Sequence, residues 1–225
     1  MLTLSGSQTT WYPVSVSDLE AHLKQLIQPL SDYKAKQCRG LQKNIAYSLQ
    51  HLEFIARART DINMSAVISN QNAKMFIIIT CSVMEAIFFY LLRKSGKAAK
   101  TPWQSVKKVT GQSFKDNDEK IKRIDCEIFE NVNPEIYDEM TFDAMCKRVE
   151  GKDLASLTND FYKKLPHLRT LRNRVHLHIL KDDTETDYIS ISESDYSLAK
   201  KTLYLLLTSS LFPVTKEGLF SYLKG

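Results

Sequence analysis

Residues 75–92 form the most apolar stretch of this 225-residue chain, and any fold must shield them from water. The segment reads MFIIITCSVMEAIFFYLL and is close to the minimum length of a membrane span, about 17–20 residues. Glu85 lies in its middle, where a carboxylate costs about 2.5–3.5 kcal/mol in lipid. We therefore predict a helix buried on most sides of a soluble protein, with no membrane contact and a cytoplasmic location.

The remaining patterns also favour helices. Seven glycines and six prolines are few for this length, which indicates long helices rather than many short strands. Ser17 and Glu20 form a capping box that begins one helix, and Ser192 or Ser194 begins the last long one. Apolar residues recur at steps of three and four between them, at Leu41, Ile45, Leu49, Leu52 and Ile55. The sequence predicts an all-α fold in a single domain.

The middle of the chain is the least regular part. Thr101 and Pro102 look like a helix cap with proline in the first turn, and Pro134 is predicted to introduce another helix that ends near Gly151. Residues 112–125 between them are rich in charge and show no clear period. We interpret them as a mobile insertion or a surface that faces a partner.

Composition limits the chemistry. The net charge of +5 permits binding to a polyanion without requiring it. The four cysteines, Cys38, Cys81, Cys126 and Cys146, are far apart and include no C-x-x-C pair, which argues against a zinc ribbon and a disulfide framework. His176 and His178 could bind a metal, but no acidic or cysteine partner lies at a suitable spacing. We expect neither a metal nor a cofactor.

One cluster stands out among the titratable residues. Residues 167–178 read HLRTLRNRVHLH and contain three of the five histidines together with three arginines. On a helix, an apolar stripe would run through them, formed by Leu165, Leu168, Leu171, Val175 and Ile179. Arg172 and His176 would border this stripe on one side, and His178 on the other. A guanidinium near a buried face needs a partner or a ligand. A structural arginine paired with Glu85 satisfies that need as well as a functional site does.

The string Leu-Arg-Asn-Arg-Val-His-Leu-His resembles the signature of the HEPN family, an arginine followed after four to six residues by a histidine. Arg172 and His178 fit it with five residues between them, and Asn173 supplies the polar residue that often follows the arginine. Arg169 and His176 also fit, with six residues between them. Six positions apart on a regular helix, Arg172 and His178 would point about 120° away from each other. We favour His178, and His176 stays an alternative.

This resemblance implies a HEPN-like helical bundle over about residues 35–212, with a flexible terminus at residues 1–15, additional N- and C-terminal helices and the charged insertion. It implies a metal-independent endoribonuclease, of the toxin or anti-phage defence type, that leaves a 2′,3′-cyclic phosphate. Arg172, Asn173, His176 and His178 would be catalytic, Glu85 would hold Arg172, and Arg169 and Arg174 would bind RNA. The expected partners are RNA, a second copy that completes a composite site, and an antitoxin or defence-system protein.

The alternative hypothesis is a catalytically inactive HEPN-like module that binds RNA or a partner protein. In this hypothesis the same charged residues bind a ligand or pack against other helices, and they catalyse no reaction. The two hypotheses differ in whether the histidines transfer protons to and from RNA.

Overall fold

The computed structural model describes residues 14–174 and 191–224, and it shows that the all-α prediction is wrong. Of the described residues, 54% are helical and 18% are extended, so the fold is mixed α and β. It divides into two compact units. One comprises the described parts of Met1–Gly96 and Phe142–Gly225 and is helical, and the other is Lys97–Thr141 and contains the strands.

The helical unit is built around one long helix. Its helices are α1 (Val16–Leu23), α2 (Ala35–Asp61), α3 (Ala66–Lys94), α4 (Phe142–Gly151), α5 (Asn159–Tyr162), α6 (Leu165–Asn173) and α7 (Glu193–Leu207), and a 3-10 turn covers Ser221–Leu223. The helix α3 packs against α2, α4, α6 and α7. It contains the apolar stretch with Glu85 and therefore sets the position of the other helices.

The helix α3 has the length and composition of a membrane span, with a mean hydropathy of 2.2 over its most apolar window. Within the protein, 61% of that window is buried. Phe76, Ile77, Met84 and Phe88 are fully enclosed by the neighbouring helices. Burial of this kind is typical of the central helix of a globular protein, which passes the same length and composition test.

Side chains at the helix ends explain several boundaries. Ser15 rather than Ser17 caps α1, because its hydroxyl accepts a hydrogen bond from the backbone N–H of Asp18 at 3.1 Å. The helix α3 begins earlier than its apolar pattern indicates, since Ser65 caps it. Proline disfavours a helical conformation in the residue before it, so Pro166 predicts a break near Leu165, and α6 begins there with Pro166 in its first turn. The predicted flexible segment at residues 1–15 lies almost entirely outside the described residues.

The second unit is a long antiparallel hairpin where the sequence predicted helices. Its strands are β1 (Lys100–Lys115) and β2 (Ile121–Tyr137), so Pro102 and Pro134 lie in strands rather than at helix starts. The predicted insertion at residues 112–125 comprises the tip of this hairpin. Asp116 closes the turn, because its carboxylate accepts the N–H groups of Asp118 at 3.0 Å and Lys120 at 2.9 Å.

The side chains of the two segments explain why they form strands rather than helices. Val106, Val109, Ile121, Ile124 and Ile128 are β-branched, which favours strands, and the polar run 116–120 between the segments suits a turn. Three register shifts interrupt the pairing along β1. At the shift between Thr110 and Ser113, a Cβ at Gly111 would overlap the carbonyl oxygen of Ile124, so only glycine permits this approach.

His22 of α1 is a buried residue whose imidazole is neutral in the folded protein. Its side chain is 3% exposed, and Nε2–H donates to the carbonyl of Leu207 at 2.9 Å. Its ring stacks on Phe212 with 4.4 Å between the centroids. Burial lowers the pKa of His22, although the hydrogen bond to Leu207 acts in the opposite direction. The imidazole therefore stays neutral in the folded protein at a pH where it is charged in the unfolded chain.

We expect this histidine to make the protein less stable in mild acid. The unfolded chain takes up the proton near pH 6.5, whereas the folded protein takes it up only at lower pH. The free energy of unfolding should thus decrease below about pH 6.5, by at most about 1.4 kcal/mol per pH unit from this group. Urea unfolding of the wild type and of His22→Gln between pH 8 and pH 5 measures it. Equal pH slopes in the two proteins would contradict the assignment.

Candidate functional site

The predicted site residues lie at the C-terminal end of α6, beside α3. Leu165, Leu168 and Leu171 are buried and form the apolar stripe that the sequence predicted for this segment. The helix ends at Asn173, with Arg174 as its C-cap. His176, His178, Val175 and Ile179 follow this end and lie outside the described residues.

The structure brings Arg172 and Glu85 together. The guanidinium Nη2 of Arg172 donates to Oε2 of Glu85 at 3.1 Å. The side chains are 36% and 28% exposed, so the ion pair lies at the edge of the packed α3–α6 contact. A guanidinium has five N–H donors in a planar fork, and this contact engages only one of its nitrogens. The pair therefore orients Arg172, and among the described residues this contact engages one edge of its guanidinium.

Cys81 fixes the same two helices one turn away from Glu85. It is fully buried, and its Sγ–H donates to the carbonyl oxygen of Leu168 at 3.6 Å. Burial raises the pKa of Cys81 to about 12, with Arg172 lowering it to a lesser extent. The thiol therefore stays protonated at neutral pH, as its role as a hydrogen-bond donor requires, and it is unsuited to nucleophilic chemistry.

The other predicted cations are placed differently. Arg169 forms an ion pair with Asp143 of α4 and is half-buried, so α6 is tied to two neighbouring helices by arginine. Arg174 follows the last residue of α6, next to the exposed Asn173. Asp143 was not among the predicted site residues. Its position in the first turn of α4 is the only sequence signal that could have indicated it.

A second acidic residue, in contact with the first histidine of the predicted cluster, also went unpredicted. The carboxylate of Asp195, in the first turn of α7, contacts Nε2 of His167 at 2.6 Å. It also accepts a hydrogen bond from the backbone N–H of Ser192, the N-cap residue of the helix. Burial alone would raise the pKa of Asp195, but the hydrogen bonds from His167 and Ser192 outweigh it and lower the pKa. The capping pattern from Ser192 to Asp195 is visible in the sequence, while the contact with His167 depends on the fold.

A small cavity of about 120 Å³ lies next to Arg169, between α4, α5 and α6. Asp143, Glu150 and Tyr162 contribute to its wall. The buried hydroxyl of Tyr162 has no hydrogen-bond partner among the described residues, and burial raises its pKa to about 12. This hydroxyl therefore remains protonated at neutral pH. The cavity has room for a few water molecules rather than for a nucleotide.

Among the described residues, no group of three or more histidine, cysteine or acidic side chains is arranged to hold a metal ion. This end of α6 carries a guanidinium oriented by Glu85, and Asn173, the next residue of the helix, is exposed. Such a pair can bind an anion such as a phosphate group. In comparisons with known proteins, the chain matches no family model, no curated protein and no solved structure.

Proposed function

We propose that this protein is a metal-independent endoribonuclease of the HEPN type, acting as a toxin or an anti-phage defence effector in the cytoplasm. The observation that carries the proposal is the ion pair between Arg172 and Glu85, 3.1 Å long. It holds a guanidinium at the end of α6, and the chain then continues directly to two histidines. Arginine for a phosphate and histidine for proton transfer are the groups that RNA cleavage without a metal requires.

The proposed reaction is an internal transesterification. One histidine removes the proton of the ribose 2′-hydroxyl, and the 2′-oxygen then attacks the adjacent phosphorus. Arg172 stabilises the negative charge of the pentacoordinate phosphorane, with Asn173 binding a phosphate oxygen. The bond to the 5′-oxygen breaks, and a second imidazole donates the proton that this oxygen takes up. The products are a 2′,3′-cyclic phosphate and a free 5′-hydroxyl.

Two proton-transferring groups are needed in this scheme, and we propose that two copies of the chain supply them in a composite site. The distribution of charge supports RNA as the ligand of the helical unit. The segment Lys97–Thr141 contains eight basic and nine acidic residues, so the excess of positive charge belongs to the rest of the chain. Arg169 and Arg174 lie there and would bind the RNA backbone.

The test is cleavage of single-stranded RNA and tRNA by the purified protein in the presence of EDTA. We expect products with a 2′,3′-cyclic phosphate and no cleavage of DNA or of RNA with a 2′-deoxy substitution at the cut. Replacing the working histidine, in His176→Ala or His178→Ala, should lower the rate by about 100-fold to 10,000-fold. His51→Ala is the matched control, because His51 is exposed on α2 outside the cluster. A wild type that never cleaves RNA, or histidine variants that all cleave equally well, would contradict the proposal.

The alternative is a catalytically inactive HEPN-like module that binds RNA or a partner protein. Two contacts are also compatible with it, because Arg172 is paired with Glu85 and Arg169 with Asp143. Paired arginines of this kind also occur where they only join helices. RNA that is bound but never cut, with binding weakened in Arg172→Ala, would support this function instead.

A further inference from the structure

The two faces of the hairpin differ, because apolar residues are clustered on one and separated by charges on the other. Opposite residues in the pairing share a face, and alternate residues of β2 point to the same side. The polar face carries the ion pairs of Lys108 with Glu127 and of Arg123 with Asp125, which separate its apolar residues, Ile121, Phe129 and Trp103. The apolar face carries the clustered residues of the distal half, Val109, Phe114, Ile124, Cys126 and Ile128, with Val106 and Lys107 at the register shift opposite Ile128.

This apolar face is open to water. Ile124 is 65% exposed and Ile128 48%, and Val106, Val109, Phe114 and Cys126 are exposed as well. A two-stranded ribbon is at best marginally stable in water unless its apolar face packs against something. Clustered apolar residues of this kind mark a contact surface rather than ordinary surface variation.

The pattern along this face of β2 is self-complementary. Reading alternate residues gives Lys122, Ile124, Cys126, Ile128 and Glu130, with a cation at one end, an anion at the other and Cys126 in the centre. A two-fold rotation about an axis through Cys126, across the strands, places the tip of one hairpin over the base of a second. Each Ile124 then meets Ile128 of the other copy, and each Lys122 meets Glu130. Such a match with itself is the requirement for a symmetric dimer.

We propose that the apolar face of this hairpin binds the same face of a second copy of the chain, in the antiparallel register centred on Cys126. Lys122 also pairs with Asp116 of its own turn, but its side chain is 56% exposed and its ammonium has three donors. It can therefore contact both carboxylates. Two sheets packed in this way lie about 10 Å apart, with the isoleucines between them.

Other occupants fit the hairpin less well. With eight basic and nine acidic residues, its segment lacks the positive charge that attracts nucleic acid or an anionic membrane. Pairing between strand edges is hindered by the three register shifts and by exposed lysines along β1. The apolar face remains, and the charges at its two ends match a second copy of the same face.

The first test is the mass of the intact protein in solution, measured by light scattering over a range of concentrations. We expect a dimer, with twice the chain mass of 25.9 kDa. Ile124→Asp should shift it to the monomer, whereas Ser113→Asp on the polar face should not. A monomeric wild type, or equal effects of the two variants, would overturn the proposal. Circular dichroism checks that each variant keeps its folded content.

The second test examines the register. Glu130→Lys and Lys122→Glu should each weaken self-association by about tenfold or more, because each places like charges opposite one another twice per dimer. Mixing the two variants should restore dimers, since every facing pair is then of opposite charge. A short bismaleimide should crosslink wild-type dimers through Cys126, and Cys126→Ser should abolish the crosslink, because sheets about 10 Å apart leave the two thiols facing but too distant for a direct disulfide. A dimer that fails to crosslink, or variants that do not recover on mixing, would show that another surface joins the copies.

The proposed contact does not depend on ribonuclease activity. A chain that dimerises through the hairpin and cuts no RNA would leave this inference intact and contradict the proposed function. A chain that cuts RNA as a monomer in Ile124→Asp would contradict the composite two-copy site and leave the hairpin contact intact.

Discussion

Arg172→Lys is expected to lower the rate of RNA cleavage by about 100-fold or more and to leave the protein folded. Lysine keeps the positive charge and reaches Glu85, but it lacks the planar fork that binds two phosphate oxygens at once. Loss of one donor to a developing oxyanion typically costs about 100-fold to 1,000-fold in rate. The ion pair with Glu85 is partly exposed, so its contribution to stability should be at most about 1 kcal/mol.

Initial rates on a labelled RNA and urea unfolding of the same preparations measure the two effects. Glu85→Gln is the matched variant, because it keeps Arg172 and removes only the charge that orients it. Its rate should fall less than that of Arg172→Lys. If Arg172→Lys cleaves as fast as the wild type, Arg172 serves only to join α6 to α3, and the proposed role in binding phosphate is wrong.

The largest loss of stability is expected from Phe76→Ala on α3. Phe76 is fully buried, and its ring meets Tyr196 of α7 edge-on with 4.8 Å between the centroids. Removing a buried phenyl ring typically costs about 3–5 kcal/mol, which comprises lost transfer energy and the cavity left behind. Because α3 contacts four other helices, the loss should lower the stability of the whole helical unit.

The adjacent Met75 supplies the control for this prediction. It lies on the same helix but is 46% exposed, so Met75→Ala should change the free energy of unfolding by no more than about 0.5 kcal/mol. Chemical denaturation followed by circular dichroism measures both variants, and Phe76→Leu gives an intermediate value if Phe76→Ala does not fold. Similar losses for Phe76→Ala and Met75→Ala would contradict the central position of this ring.

The helices were predictable because their signals are local. Apolar residues at helical spacing and serine caps involve residues that are close together in the sequence. The break at Pro166 follows from the geometry of proline. The hairpin was missed because Thr101 and Pro102 also fit a helix cap, which outweighed the β-branched residues after them. What decided the outcome is the pairing of β1 with β2 around the Asp116 turn, a relation between residues far apart in sequence.

At the candidate site, too, contacts between residues far apart in the sequence could not be predicted. The sequence indicated that Arg172 needs a partner and suggested Glu85, which the structure places in contact with it. It did not indicate Asp143 for Arg169 or Asp195 for His167, because both contacts depend on how separate helices pack. Exposed charged residues leave no periodic trace that would identify their partners.

The two ends of the hairpin are neighbours, since Lys100 pairs with Tyr137 and the N–H of Asp138 donates to the carbonyl of Ala99 at 3.0 Å. The chain thus leaves α3 and returns to α4 at adjacent points. A linker of a few residues could join these points if the hairpin were absent. A module attached in this way can lengthen, shorten or vanish during evolution at little cost in chain entropy. The proposed contact between hairpins can therefore change during evolution without any change in the helices that carry Arg172.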